Sequence, residues 1–451
     1  MRLKILLFFF KFFSSKIIFP FFKESSIFND SFNLIDNFIN NSLTTKIGLG
    51  TPKQFILFSI KMNEYSLKIL DFNSSSSKLN KFDSKLSKTF FIFEVSENEI
   101  DEDYLFIPFD ENSFFANEKY FLDNNNINVS LNFKVIKNDC EKNNILGLKF
   151  YENVHMYTPH CNLIKQLKQQ NKIENYVYFF DFDEKYFNLD KRDKGNLIIG
   201  EYPHNFNTKK YSYSDFIEFN NNIFNSDFTY NLRVDEIHFN NKILNENYYC
   251  KLTIENNLIK GPYEFNEIIK ENFFDNFIKE KKCFKIYSEK YKNYFYYYCK
   301  KNIENDMKKY FNEISFKIKE FNFTFKLNYK DILYKNNNNI YLLIYFYDKK
   351  EINEKWEFGY ILFKKYLIVF NQDRKTIGFY LKENNINNKI YKFIPYIIIL
   401  FCFIIILSLI FYIRYYINNN RKKFAYELDD DFEYKLNNYN KFGIKIELKK
   451  N

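Results

Sequence analysis

The chain has 451 residues, with 66 Lys and Arg against 56 Asp and Glu, a net charge of +10 and an aromatic share of 22%. Such a length holds roughly two or three ordinary domains, or one large two-lobed one. Basic and acidic residues are interleaved along the whole chain without a basic stripe, which argues for a solvated surface and against a nucleic-acid partner. The abundance of Phe, Tyr, Ile, Asn and Lys, all encoded by A/T-rich codons, is read as compositional drift, and the Asn runs at 124–126 and 336–339 as low-complexity loops.

In chain order, residues 1–22 combine a basic start with the apolar run ILLFFF at 5–10, the pattern of a secretory signal peptide. Lys11 and Lys16 interrupt it and leave an uncleaved anchor as the alternative. From 44 to 381, short runs of Phe, Ile, Tyr and Val alternate with Asn, Asp, Lys and Ser breaks, as in FFIF at 90–93, YVYFF at 176–180, NLII at 196–199 and YLLIYFY at 341–347. This patterning predicts a mainly β ectodomain. Two stretches have helical spacing instead: 162–170, with Leu163, Ile164 and Leu167 on one face, and 263–281, with Phe265, Ile268, Ile269, Phe273, Phe274 and Ile278 on another.

Residues 394–413 are apolar over the length that crosses a bilayer, and Arg414 and RKK at 421–423 follow them. The pattern predicts a transmembrane helix, a short flexible tail at 414–451 in the cytosol, and a large N-terminal part in the secretory lumen or outside the cell. Cys140, Cys161, Cys250, Cys283 and Cys299 lie outside that span, and Cys402 lies within it. A secreted compartment favours disulfides. Cys283 and Cys299 are the candidate pair, because they bracket a short charged and aromatic excursion between two patterned segments. The spacings match no zinc pattern, and the four histidines His155, His160, His204 and His238 are scattered, so neither a metal site, a cofactor nor a nucleophilic triad is expected. Asn40, Asn73, Asn128 and Asn322 begin sequons for N-glycosylation.

Several stretches, in order, resemble the pepsin-like aspartic peptidases: IGLGTPKQ at 47–54, DFNSSSS at 71–77, NILGL at 144–148, the 162–170 helix, GNLIIG at 195–200, VDEIHFNN at 234–241 and LIKGP at 258–262. ISFKI at 314–318 and the run 358–370, leading into TIGF at 376–379, are similar to the closing strands of that family. The resemblance spans about 44–381 and implies a bilobal, mainly β fold, with an N-lobe near 44–200 and a C-lobe near 201–381. Independently of the family, Gly50, Gly147 and Gly359 are expected at tight turns or close backbone approaches.

The family's chemistry needs two facing aspartates that share a proton, so that one activates water while the other protonates the carbonyl oxygen. Aligned without gaps, those two positions fall on Lys61 and Thr253, in KMNE at 61–64 and TIEN at 253–256. An ammonium and a hydroxyl cannot replace a carboxylate couple. Asn63 and Glu255 stand where the family has glycine, and Asn tolerates a positive φ there better than Glu. The stretch corresponding to the family's flap, around 94–98, lacks its tyrosine and glycines, although Tyr104 lies nearby. Asp71 could serve as a displaced N-lobe aspartate only with an insertion, and Glu64 with Glu255 would form an asymmetric acid pair.

Two functions are therefore carried forward. In the first, the ectodomain is a monomeric, catalytically silent relative that holds a peptide or protein in its inter-lobe cleft through main-chain hydrogen bonds and side-chain pockets. In the second, it is a divergent membrane-anchored aspartic endopeptidase with a rearranged acid pair.

Overall fold

The apolar runs become strands, and among the described residues strand outweighs helix 44% to 31%. The computed structural model describes residues 16–23, 43–72, 81–92, 113–122, 127–137, 143–149, 161–183, 193–220, 230–240, 242–244, 248–288, 292–311, 313–335, 338–350, 355–380, 386–441 and 443. They fall into two units, Met1–Leu381 and Lys382–Asn451.

The first part of the larger unit contributes β1 Ile17–Phe22, β2 Thr44–Leu49, β3 Gln54–Lys61, β4 Lys68–Leu70, β5 Phe91–Ile92, β6 Ser113–Leu122, β7 Ile127–Ile136, β8 Asn144–Gly147, β9 Val177–Phe182 and β10 Lys194–Ile199. The middle contributes β11 Phe216–Asn220, β12 Asn231–Val234, β13 Glu236–Phe239, β14 Lys242–Leu244, β15 Tyr248–Leu252, β16 Ile259–Gly261, β17 Cys283–Tyr287 and β18 Tyr294–Lys300. The last part adds β19 Glu313–Ile318, β20 Phe323–Asn328, β21 Leu333–Lys335, β22 Asn339–Tyr347, β23 Trp356–Phe358, β24 Leu367–Asn371 and β25 Thr376–Tyr380.

Among the described residues one sheet runs β11-β25-β24-β9-β10-β1-β2-β3-β8-β4-β7-β6-β5, a second β12-β15-β23-β16-β22-β18-β17, and a third β14-β13-β19-β20. Two runs within these sheets repeat each other. From β2 to β5 the successive pairings are antiparallel, parallel, antiparallel, parallel, antiparallel and antiparallel. From β12 to β17 the series is the same. Each half therefore builds seven strands in one order with one set of directions.

Burial repeats as well. Phe58 and Ile60 of β3 are fully buried, as are Cys250 and Leu252 of β15. The partner strands β8 and β23 add Leu146 and Phe358, and every one of these side chains belongs to one continuous hydrophobic cluster. Burying a large apolar side chain contributes on the order of 2 kcal/mol, so this shared core stabilises both halves together.

The six strands β11-β25-β24-β9-β10-β1 pair antiparallel throughout and join the N-terminal repeat through β1 and β2. The expected bounds put a leader at 1–22 and the start of the folded part at 44, and β1 within 1–22 is a strand of the first sheet. Residues 17–22 pair along their whole length with β10, and Ile17, Phe19 and Phe21 are buried. Residues 1–15 lie outside the described residues. An alternating strand buried on one side and an apolar leader look alike when every residue is apolar, as in IIFPFF.

The expected helices form. Asn162 caps Leu163–Gln169 by accepting from Lys165 N at 3.0 Å, and Leu163, Ile164 and Leu167 are buried. The second starts after Pro262 and continues to Lys279 through a π-helical turn at Lys270–Phe274. That turn puts both Phe273 and Phe274 into the core, with Phe274 stacked on Tyr297 at 4.2 Å. The run 358–370, expected as strand, is instead strand, helix and strand. Tyr360–Lys365 is a helix between β23 and β24, and Tyr360 through Lys364 are all buried, so neither period shows in the sequence.

Cys283 and Cys299 form a disulfide as expected, directly opposite each other on β17 and β18. Cys161 and Cys250 are free and buried, and Cys140 lies outside the described residues.

The smaller unit contains the helix Ile386–Lys441. Its segment Ile398–Lys422, 25 residues that include an 18-residue stretch with a mean hydropathy of 2.5, is long and apolar enough to cross a membrane. The tail, expected to be flexible, continues this helix to Lys441. It has no proline, and its first glycine, Gly443, follows the helix end with a φ of 70°.

Candidate functional site

Each repeat ends a buried strand at the same kind of junction. In the first, β3 runs parallel to β8 and Lys61 lies opposite Gly147. In the second, β15 runs parallel to β23 with Leu252 opposite Phe358, which puts Thr253 at the level of Gly359. The two glycines are needed for close approach. A Cβ on Gly147 would stand 2.6 Å from the Glu64 carbonyl oxygen and 2.7 Å from that of Ser66. On Gly359 it would meet the Asn256 and Leu258 carbonyl oxygens at 2.2 and 2.3 Å. Gly50, by contrast, serves a turn, with φ at 77°.

Part of each loop's backbone is satisfied locally. Leu148 N–H donates to Lys61 O at 2.8 Å and Lys149 N–H to Glu64 O at 2.8 Å. Thr253 N–H donates to Phe358 O at 3.0 Å, and Tyr360 N–H to Asn256 O at 2.6 Å. This leaves side chains to join the two loops.

They meet on three residues. Asn63 N–H donates to Glu255 Oε1 at 2.9 Å, and the Asn63 side-chain amide donates both to Glu255 Oε2 and to Thr253 Oγ1, the latter at 3.2 Å. The Thr253 hydroxyl donates to Glu255 Oε2 at 3.3 Å and accepts from Glu255 N–H at 3.4 Å. Thr253 is 1% exposed, whereas Asn63 and Glu255 are half-buried. Neither Asn63 nor Glu255 adopts the left-handed backbone open to a glycine. The positive-φ residues other than glycine are Asn171, Asn240, Lys281, Asn322 and Lys375 among the described residues. With side chains at both positions, the loops are joined by an amide and a carboxylate instead.

Beneath this junction, Tyr230 donates its hydroxyl to Leu148 O at 2.8 Å, and the Gln372 amide bridges Leu148 O and the Tyr230 hydroxyl at 3.1 and 2.9 Å. Tyr178, fully buried, packs edge-on against Tyr230. Burial, the neighbouring Tyr230 and then the charge of Glu255 push its hydroxyl well above the ordinary tyrosine value, so it stays neutral.

The other acids considered from the sequence do not join Glu255. Glu64 pairs with Lys68 at 3.0 Å. Asp71 follows β4, which runs antiparallel to β8 away from Gly147, and its N–H donates to Ile136 O at 3.0 Å. Lys61 is half-buried, and among the described residues its ammonium makes neither an ion pair nor a hydrogen bond. One carboxylate, Glu255, thus stands at the junction, bound to neutral donors.

The serine turn at 73–77, the stretch at 94–98 with Tyr104, His155, His160 and the sequon asparagines Asn40 and Asn73 lie outside the described residues. His204 contacts the Tyr380 hydroxyl and His238 pairs with Glu236 at 3.1 Å, both away from the junction. No group of acids, cysteines and histidines suited to a metal ion occurs among the described residues.

A second polar cluster went unrecognised in the sequence. Lys364 pairs with Asp193 at 2.6 Å with both side chains buried, and the Tyr360 hydroxyl donates to the same carboxylate. Lys23, just after β1, donates its N–H to Asp193 O at 2.9 Å and sets its ammonium 4.4 Å over the Tyr360 ring. Burial, only partly offset by Asp193 and reinforced by Lys364, lowers the Lys23 ammonium to about 7.

No family model matches this chain, and no curated protein matches it either.

Proposed function

We propose that the larger unit is a bilobal, catalytically silent relative of the pepsin-like aspartic peptidases, tethered by its C-terminal helix, and that it holds an extended peptide or protein segment where its two repeats meet. The observation that carries this reading is the equivalence of the two junctions: β3 with β8 and β15 with β23 end at matched glycines, and their loops meet on Asn63, Thr253 and Glu255. Two such crossings brought face to face are the arrangement expected of that family. At the matched positions stand Lys61 and Thr253, and Glu255 is held by neutral donors with Glu64 turned to Lys68. A lone carboxylate has no partner with which to share a proton.

Peptide capture does not depend on the missing acids, because main-chain hydrogen bonds and side-chain pockets provide it. In this reading the larger unit faces the secretory lumen or the exterior and the tail faces the cytosol, as the basic residues after the apolar segment favour.

The test is to incubate the full chain, in detergent, with a mixed pool of unstructured peptides between pH 3 and pH 7 and to analyse bound and free fractions by mass spectrometry. Peptides retained intact support the reading. Cleavage blocked by a statine-type inhibitor overturns the silence, and retention of no peptide overturns the capture.

A further inference from the structure

We propose that the ligand held at this junction is recognised through a carboxylate, either an Asp or Glu side chain or a free C-terminus, by the ammonium of Lys61. The inference rests on the reading of the junction as a peptide-binding site.

It follows from asking which hydrogen-bonding capacity at the junction is already used. The carboxylates there are occupied. Glu255 Oε1 takes the Asn63 N–H, and Oε2 takes the Asn63 amide and the Thr253 hydroxyl. Glu64 is paired with Lys68 at 3.0 Å. The carbonyl oxygens of Lys61, Glu64 and Asn256 each receive a backbone N–H. The side-chain amide of Asn256 is spent on Glu357 at 3.1 Å.

The charge left unengaged lies with a donor. Lys61 carries a charged group with three N–H bonds and no ability to accept, and among the described residues nothing engages it. It is also half-buried, so the hydration it keeps is incomplete and a ligand anion loses less by displacing it.

Position supports the same assignment. Lys61 is the first-repeat counterpart of Thr253, each level with a crossing glycine, and the Thr253 hydroxyl touches Asn63, two residues beyond Lys61. Lys61 therefore ends the strand that leads into the junction joining the two halves. Glu255, bound to Asn63 at this junction, opposes a ligand carboxylate, and its removal should strengthen binding of acidic peptides rather than weaken it.

The experiment measures anisotropy of rhodamine-labelled peptides bound to the full chain in detergent. The peptides form matched sets: Asp and Glu replaced by Asn and Gln, and free C-termini replaced by amides. Acidic or free-acid peptides are expected to bind roughly tenfold or more tightly than their neutral isosteres, since a charge-assisted hydrogen bond distinguishes the two. The two sets show which carboxylate is read. Lys61→Gln should abolish the difference, Lys61→Arg should retain most of it, and Glu255→Gln should enlarge it.

Binding that ignores ligand charge, or a preference that survives Lys61→Gln, overturns this inference while leaving peptide capture intact. Failure of every peptide to bind the unaltered chain overturns both. Retention of the charge preference in Lys61→Arg, with loss in Lys61→Gln, separates the role of the charge from any effect on folding.

Discussion

Asn63 and Glu255, 192 positions apart in sequence, are joined twice, once through the Asn63 backbone N–H at 2.9 Å and once through its side-chain amide. The first repeat supplies only donors to this contact and the second supplies the carboxylate. Each partner leaves the other with half-buried, unsatisfied polar groups if it is removed, so their contributions should be strongly coupled. In a double-mutant cycle of Asn63→Ala and Glu255→Ala followed by urea denaturation, each single change is expected to cost about 1–3 kcal/mol, and the double change clearly less than the sum. Strict additivity would mean that the two loops do not meet through these side chains.

Gly147→Ala and Gly359→Ala should each destabilise the larger unit, because the new methyl would meet loop carbonyl oxygens at 2.6 Å and 2.2 Å and backbone must shift to admit it. A loss of about 1–3 kcal/mol is expected for such overpacking. Gly48→Ala provides the control: its Cβ would meet only the flexible side chain of Lys53, which can swing aside. Equal losses at all three sites in urea denaturation would contradict the close approach at the two crossings.

The buried Lys23 makes stability depend on pH in a defined direction. Its value of about 7 in the folded chain lies below the ordinary 10.5, so between those limits the unfolded chain holds a proton that the folded one has shed. Stability contributed by this group therefore rises as pH increases from about 7 towards 10.5, and below about 7 both states hold the proton and the cost stays constant. Lys23→Met should be more stable than the unaltered chain at pH 7, by an amount on the order of a few kcal/mol, and should gain less between pH 7 and pH 9.5. Urea midpoints at the two pH values measure this, and parallel curves for the two proteins would refute it.

The Cys283–Cys299 bond closes a separation of 16 residues between two strands at the edge of the second repeat. Its loss in Cys283→Ser/Cys299→Ser should cost about 3 kcal/mol, the scale of the chain entropy released on opening a loop of that size. Thermal denaturation with and without reductant checks the figure, since reductant should lower the melting temperature of the unaltered chain alone.

Much of the β architecture was legible because its punctuation is local. IGLGTPKQ and NILGL mark the first crossing, and LIKGP with the Phe358–Gly359 step marks the second. The two amphipathic helices announce themselves by period, and the disulfide by the excursion it spans. What escaped notice depends on contacts across the chain or on segments without a period. β1 is apolar throughout and reads as a leader, and Tyr360–Lys365 is buried on all sides and shows no helical face. Asp193 and Lys364 lie 171 positions apart, so neither residue reveals the other. Glu255 is legible as a candidate acid, but its bond to Asn63, 192 positions away, arises only through the fold. Lys61 and Thr253, the positions that the family resemblance singles out, needed only counting from a glycine.

The most direct test of the account is hydrolysis by the unaltered full chain and by its Glu255→Gln variant, measured on one extended peptide that the chain binds, across pH 3 to pH 7. The account predicts no cleavage by either protein at any pH, with binding retained. Turnover by the unaltered chain that Glu255→Gln abolishes would contradict it, because Glu255 would then be working as half of an acid pair.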